Sequence, residues 1–523
     1  MASSTTPTTI AKAPFDEDSV DSVVLRTSDL VDFYVIKAVL GLASPFFKDM
    51  FSLAQPHTDQ SLSAAKEPII VSEKSDTIDC LFRLCYPIDD PVIEDLDLVE
   101  RALAAAIKYQ MGEATKLLSQ RFTELITNHT CKHAFGISCR LNLEEQARQS
   151  ADTISRMIDY RALAGLSPTP SATVDGGCYD PKMAPLSAGS YFRLLQYIRT
   201  HKAIPMRSYS ERLHSRLQQH SERDTNGAPT FCTLPPEPLQ TLSETATPSI
   251  VHMGDADTDL LLRTSDGVDV TVHSVILRLA SADKLLQLPR VVDAASTFPV
   301  IQLNFEFQVL RALLELCYPL RSPRNEEVGP EYLYLARRLL QVAKQYDIPR
   351  IADAVKQRIM QNYVKTDPLL VYFLSVEQVW QDVAVAAAQS TVYLDIEDTY
   401  HPWMELLPAV SYYNLLDYRR RYQITLVKTL CKYPSHLRKW EDIKLFLSFS
   451  STESLLSSDN IRLMLLAQGS AVLKEVLDAP SGPKQRADVS RFRDVVESFV
   501  KDTEVAMTQL SQQLIPVRLN RFI

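Results

Sequence analysis

The chain has 523 residues, 46% apolar and 23% charged, which is too long for one ordinary core and has the balance of packed domains rather than of a disordered or membrane-spanning chain. Its 64 acidic against 55 basic residues give a formal charge of -9, so no global positive field draws nucleic acid or an anionic membrane, and neither is expected as a partner. Only 13 glycines against 30 prolines argue against an α/β enzyme rich in Gly loops and for helices punctuated by proline stops.

Residues 1–18 carry no apolar period and read as a disordered arm. They hold no signal-peptide core, and apolar runs such as Leu369 to Leu374 are far below membrane-spanning length, so an intracellular protein of cytoplasm or nucleus is expected. A first unit, 19–126, opens with the β-formers Val23, Val24 and Leu25, a Thr-Ser-Asp turn, and Val31, Phe33 and Val35 alternating with Asp32, Tyr34 and Ile36. That pattern predicts a hairpin. A helix over Ala38 to Ala43, a β-rich run over Pro68 to Val71, a helix stopping at Pro87, and helices over Leu96 to Tyr109 and Gly112 to Ile126 complete the unit. A helical extension follows over 127–217. Residues 218–255, with Pro229, Pro235, Pro236, Pro238 and Pro248 among Ser and Thr, read as an extended linker.

The chain then repeats itself. Leu25 to Ser44 (LRTSDLVDFYVIKAVLGLAS) and Leu262 to Ser281 (LRTSDGVDVTVHSVILRLAS) share twelve of twenty positions at an offset of 237. Chance gives roughly one or two, so a structural unit is duplicated. Leu84-Cys85-Tyr86-Pro87 recurs as Leu316-Cys317-Tyr318-Pro319, and Leu186 to Arg199 resembles Leu407 to Arg420. The second unit, 256–363, places Asp266-Gly267 at the hairpin turn, the dipeptide suited to positive φ. Its own helical extension covers 364–440, and 441–523 is an additional helical segment in which Met507, Leu510 and Leu514 keep helical spacing. The expected fold class is α+β: two modules, each a small β-sheet covered by helices and followed by an all-α extension, plus the C-terminal helices.

The segment Phe33 to Phe51 (FYVIKAVLGLASPFFKDMF) resembles the BTB/POZ family, whose signature runs from a hairpin through F-x-V-H-K-x-V-L to a serine, P-x-F and a Met-Phe pair. With the two units, the chain is similar to tandem, fungal-type members of that family. The first copy keeps Lys37 but has Ser22 and Ile36 at the family's aspartate and histidine positions; the second keeps Asp259 and His273 and replaces the lysine with Ser274. The resemblance implies a non-catalytic interaction scaffold, an oligomer by homodimerisation or by pairing of the two copies within one chain, and protein partners that include a cullin scaffold if the chain is a ubiquitin-ligase substrate adaptor. The alternative it implies is a transcription or chromatin co-regulator that recruits corepressors. Phe46, Phe47, Met50 and Phe51 are the candidate interaction surface, and Asp259, His273 and Lys37 the structural signature.

Other constellations invite chemistry and are weighed down by context. His129, Cys131, His133 and Cys139 are the densest potential metal ligands, yet the repeat puts Thr366, Pro368, Leu370 and Val376 there and the spacing fits no standard finger. Asp259 with His273 could be an acid/base pair, but no nucleophile motif or phosphate loop accompanies it, so a structural polar pair under the hairpin is expected. Cys80, Cys85 and Cys317 read as small buried hydrophobes. Arg419, Arg420 and Arg421 read as a solvated helix face. No catalytic residue, cofactor or metal is assigned.

Overall fold

The computed structural model describes residues 8–52, 67–158, 177–201, 231–232, 251–252, 258–291, 298–318, 331–392, 394, 396–431 and 505. Apart from Val505, the helices expected over 441–523 lie outside the described residues.

In the first unit, β1 (Thr9–Ile10), β2 (Ser22–Arg26), β3 (Val31–Ile36) and β4 (Ile69–Ile70) form a sheet in the order β1-β3-β2-β4. The β2-β3 hairpin is antiparallel, and β1 and β4 join its two sides in parallel. Alternation sends Leu25, Phe33 and Val35 into a core with Leu40, Ile78 and Leu103. That core is closed by α1 (Lys37–Ala43), α2 (Pro45–Ser52), α3 (Ser75–Arg83), α4 (Leu96–Lys108) and α5 (Gly112–Glu124).

The expectation of a disordered arm over 1–18 is corrected from residue 9 onward. β1 pairs with β3, and Phe15 is fully buried with its ring 5.8 Å from Phe33, 6.0 Å from Phe82 and 5.1 Å from Tyr86. Arg83 donates to the Ala13 carbonyl at 2.8 Å and lies over the Phe15 ring. One aromatic in a polar stretch carries no period, so its anchoring, of order 1.5–3 kcal/mol for a buried side chain, is invisible to a pattern search.

The first extension contains α6 (Cys131–Arg140), α7 (Glu144–Met157) and α8 (Ala188–His201). The second sheet is built from β5 (Val251–His252), β6 (Leu260–Arg263), β7 (Asp269–Val272), β8 (Arg290–Val291) and β9 (Val300–Gln302) in the order β5-β7-β6-β9-β8. Around it lie α9 (Ser274–Leu279), α10 (Asp283–Leu286), α11 (Phe307–Cys317), α12 (Glu331–Tyr346) and α13 (Pro349–Asn362). The second extension contains α14 (Pro368–Glu377), α15 (Gln381–Thr391) and α16 (Ala409–Cys431). The reading of 218–255 as linker alone is also corrected. Val251–His252 is a strand of the second sheet, and Phe231 and Cys232 are buried. Among the described residues, no helix is long and apolar enough to cross a membrane.

The repeated residues do the same work twice. Leu25 faces Phe33 in β3 as Leu262 faces Val270 in β7, and the Arg26–Asp32 and Arg263–Asp269 ion pairs both close at 2.7 Å. Inside the turn, the Thr27 hydroxyl oxygen accepts from the Val31 N–H and Thr264 accepts from Val268, each at 3.1 Å. The turn aspartates cap a helix across the sheet: Asp29 accepts from the Ser75 N–H of α3 at 3.0 Å, and Asp266 from the Phe307 N–H of α11 at 3.1 Å. The left-handed turn position holds Gly267 (φ 82°) in the second copy and Leu30 (φ 63°) in the first.

The repeated Leu-Cys-Tyr-Pro has a specific task. The Ile36 N–H donates to the Tyr86 hydroxyl at 2.8 Å, and the His273 N–H donates to the Tyr318 hydroxyl at 2.9 Å. Each tyrosine thus takes the N–H at the strand-to-helix corner. We expect Tyr318→Phe to cost about 1–3 kcal/mol by leaving a donor unpaired, and Tyr86→Phe less because Ile36 is exposed. Urea unfolding of the two variants checks both.

The halves meet through their extensions. The Ala188 N–H donates to the Leu407 carbonyl at 2.7 Å and the Ala409 N–H to the Leu186 carbonyl at 2.6 Å. These are counterparts in the repeat, so the contact is self-complementary in the manner of a two-fold interface. Tyr191 meets its own counterpart Tyr412 with ring centroids 6.3 Å apart, and Tyr179 stacks on Tyr413 at 4.3 Å. At the centre the Glu405 carboxylate, with its side chain only 2% exposed, accepts from Arg193, from the Ser187 hydroxyl at 2.9 Å and from the Tyr400 hydroxyl at 2.9 Å. An added Cβ on Gly189 would lie 2.0 Å from that carboxylate, so the joint requires glycine there.

Candidate protein-interaction surface

Serine and proline set the geometry of α2. Ser44 ends α1, accepts from the Phe47 N–H at 3.1 Å, and donates to the Tyr109 carbonyl at 2.5 Å; Pro45 follows as the first helical residue, where its missing N–H costs nothing. The two-turn helix that results splits its apolar residues between two faces. Phe47 is 1% exposed and stacks on Tyr109 at 5.0 Å, so it belongs to the core and not to the surface expected of it. Phe46 is 40% exposed with its ring 5.5 Å from Tyr109, while Met50 and Phe51 are half-buried against the core.

Polar groups frame this aromatic edge. Lys108 pairs with Glu73 at 2.8 Å and places its ammonium 4.9 Å from the centre of the Tyr109 ring. The Tyr109 hydroxyl donates to Glu73; burial, then that carboxylate, push the phenol far above its ordinary value. Leu42, on the preceding helix, is 90% exposed. The second copy differs here: Ser281 adopts φ 64° and α10 is a single turn, so no equivalent of the Phe46 edge is built.

The signature residues play structural parts. Lys37 is the exposed first residue of α1, and its N–H donates to the Asp21 carbonyl at 3.1 Å. Asp259 accepts from the Ser274 N–H at 2.6 Å and from its hydroxyl, capping α9 from the sheet, while His273 places Nδ1 3.1 Å from the Tyr318 hydroxyl. Asp259 thus caps α9 while the His273 ring is held by Tyr318, and the two stay close enough for His273 to help lower the Asp259 carboxyl. Burial alone would raise the Asp259 carboxyl, but the Ser274 hydroxyl and N–H hold it below the ordinary value.

The remaining constellations do not converge on chemistry. His129 is exposed, Cys131 and Cys139 are buried, and His133 instead meets Asp97 at 3.3 Å and Lys182 at 3.4 Å. Asp97, Glu100 and His133 do lie together, but Arg140 already pairs with Glu100. Burial, then Lys182, lower the His133 imidazole. Burial pushes the Cys80 thiol up to about 12 and those of Cys85 and Cys317 to about 11, which suits small hydrophobes rather than nucleophiles. Arg419 is not on a solvated face: it is 8% exposed and donates to the Leu394 carbonyl, whereas Arg421 is half-exposed and pairs with Asp417 one turn back at 2.7 Å.

The hairpin, the Ser-Pro start of α2 and the helices behind it coincide with a known sequence pattern: residues 12–125 match the profile described as BTB/POZ domain. This segment is a BTB/POZ domain. The match opens just before Phe15 and closes at the end of α5, so the BTB/POZ domain takes in the anchored N-terminal segment as well as the sheet and its helices. BTB/POZ domains are, as a family, protein-interaction modules. No curated protein matches the sequence.

Proposed function

We propose that the chain is a non-catalytic protein-interaction scaffold built on two BTB modules, the second over 256–363, whose extensions lock the halves together. The shared sheet order, turn threonines, cross-sheet aspartate caps and corner tyrosines support the second module. One observation carries the choice of surface: α2 of the first module shows Phe46 to solvent beside Lys108 and Tyr109, and in the second copy the corresponding α10 is a single turn with Asp283 where Phe46 stands. Exposed aromatics next to a cationic group are the composition of binding hot spots. In its specific form the proposal makes the chain a substrate adaptor of a cullin ubiquitin ligase.

The test is affinity capture of the tagged full chain from its own cells, compared with Phe46→Asp. Phe47 is left alone because substituting it would empty the core. We expect at least a tenfold loss of the captured partners from a chain that melts as before. A cullin among the lost partners supports the adaptor form. Unchanged capture by Phe46→Asp removes this surface, and partners without a cullin remove the ligase form.

A further inference from the structure

Phe231 and Cys232 are held in a way that differs from the strands and helices around them. All four of their backbone polar groups are taken by side chains. The Glu144 carboxylate at the start of α7 accepts from the Phe231 N–H at 2.8 Å and from the Cys232 N–H at 3.1 Å. Arg193 of α8 donates to the Phe231 carbonyl at 3.3 Å and to the Cys232 carbonyl at 2.8 Å. The Phe231 ring fills a slot between Phe135 of α6 at 5.8 Å and Tyr197 of α8 at 5.0 Å, and it is fully buried. Cys232 is 1% exposed and lies 3.8 Å from the Ser138 carbonyl, too close for a long side chain.

An acid that reads two N–H groups, a base that reads two carbonyls and an apolar slot for one ring make up the chemistry by which an extended peptide is recognised independently of covalent attachment. We propose that the groove between α6, α7 and α8 is a peptide-binding site for an aromatic residue followed by a small uncharged one, filled in this chain by its own Phe231–Cys232. The occupant is chosen by the groove itself: the ring slot takes Phe or Tyr, the confined second position takes Cys, Ser or Ala, and the clamp is indifferent to the rest. A tethered occupant competes at an effective concentration of order millimolar, so a partner peptide exchanges with it only when tightly matched or locally concentrated. Arg193 also holds Glu405 at the joint between the halves, so occupancy of the groove supports that joint.

The test uses the full chain and a fluorescent peptide of sequence GAPTFCTLPP, residues 227–236. The peptide should bind saturably to the Phe231→Ala chain, at least tenfold more weakly to the unchanged chain, and not measurably when its own Phe is replaced by Ala. A folded Phe231→Ala chain that binds no peptide, or equal binding to both chains, overturns the proposal. Should Phe231→Ala not fold, hydrogen exchange of the unchanged chain decides. Millimolar peptide should accelerate exchange at 231–232 while α6 and α8 stay protected, and exchange of this segment only together with those helices overturns the proposal.

Discussion

Replacing Glu405 by alanine is expected to destabilise the chain by about 3–5 kcal/mol, because it leaves the Arg193 guanidinium buried without its counter-charge. The Arg193 side chain is 14% exposed, and the Ser187 and Tyr400 hydroxyls would lose their acceptor in the same step. Trp403 lies two residues away and is buried, so with Trp380 and Trp440 replaced by phenylalanine, urea unfolding followed by its fluorescence reports on this region. Gly189→Ala should act in the same direction, since its new methyl would enter the space of a carboxylate pinned on three sides. If Glu405→Ala shifts the unfolding free energy by less than 1 kcal/mol, the ion pair is not what joins the extensions. The repeat makes the comparison sharper: the counterpart of Gly189 is Val410, so only one side of the two-fold contact was hollowed to receive an acid.

What could be read from the sequence divides along physical lines. Leu-Arg-Thr-Ser-Asp was legible because nearly every residue in it has a fixed task, from the ion pair of Arg26 to the cross-sheet cap of Asp29, and the duplication displayed those tasks twice. The hairpin and the helices at 96–108 and 112–124 were legible from their periodicity, whereas the recurring Tyr86 and Tyr318 showed that they were repeated but not which N–H they take. Phe15, Phe231 and Glu405 were not legible. Each is a single residue in a polar or proline-broken stretch, and each finds its partners far along the chain: Phe15 at Phe82, Phe231 at Glu144, Glu405 at Arg193. Periodicity describes a face and not a lone anchor. The division of Phe46 from Phe47 was hidden for another reason, because a two-turn helix begins too abruptly for spacing to fix its inward face. Arg419 misled because charge runs are counted without regard to which member points inward.

Stability should also fall as pH drops from about 6.5 towards 4, and His401 is the cause. The sequence repeat aligns His401 with Asp180, and the two do the same job: Asp180 accepts from the Lys182 N–H at 2.9 Å and His401 Nδ1 accepts from the Trp403 N–H at 3.2 Å, each starting a short 3-10 turn on a proline. The other ring nitrogen of His401 lies 2.9 Å from the Tyr334 hydroxyl. A protonated imidazole cannot accept, and burial lowers this one to about 4. The unfolded chain therefore binds the proton from about pH 6.5 downward while the folded chain refuses it until about 4. The stabilisation is complete above the unfolded value and is lost on acidification through that window, amounting to about 3 kcal/mol. Asp29 and Asp259, whose carboxyls are held below the ordinary value, add their losses only under more acid conditions, and His133 adds a smaller loss of the same sign. His401→Asn keeps an acceptor for the Trp403 N–H and removes the titration. Between pH 6.5 and 5 the variant should lose markedly less stability than the unchanged chain, and parallel pH profiles for the two would show that the proton goes elsewhere.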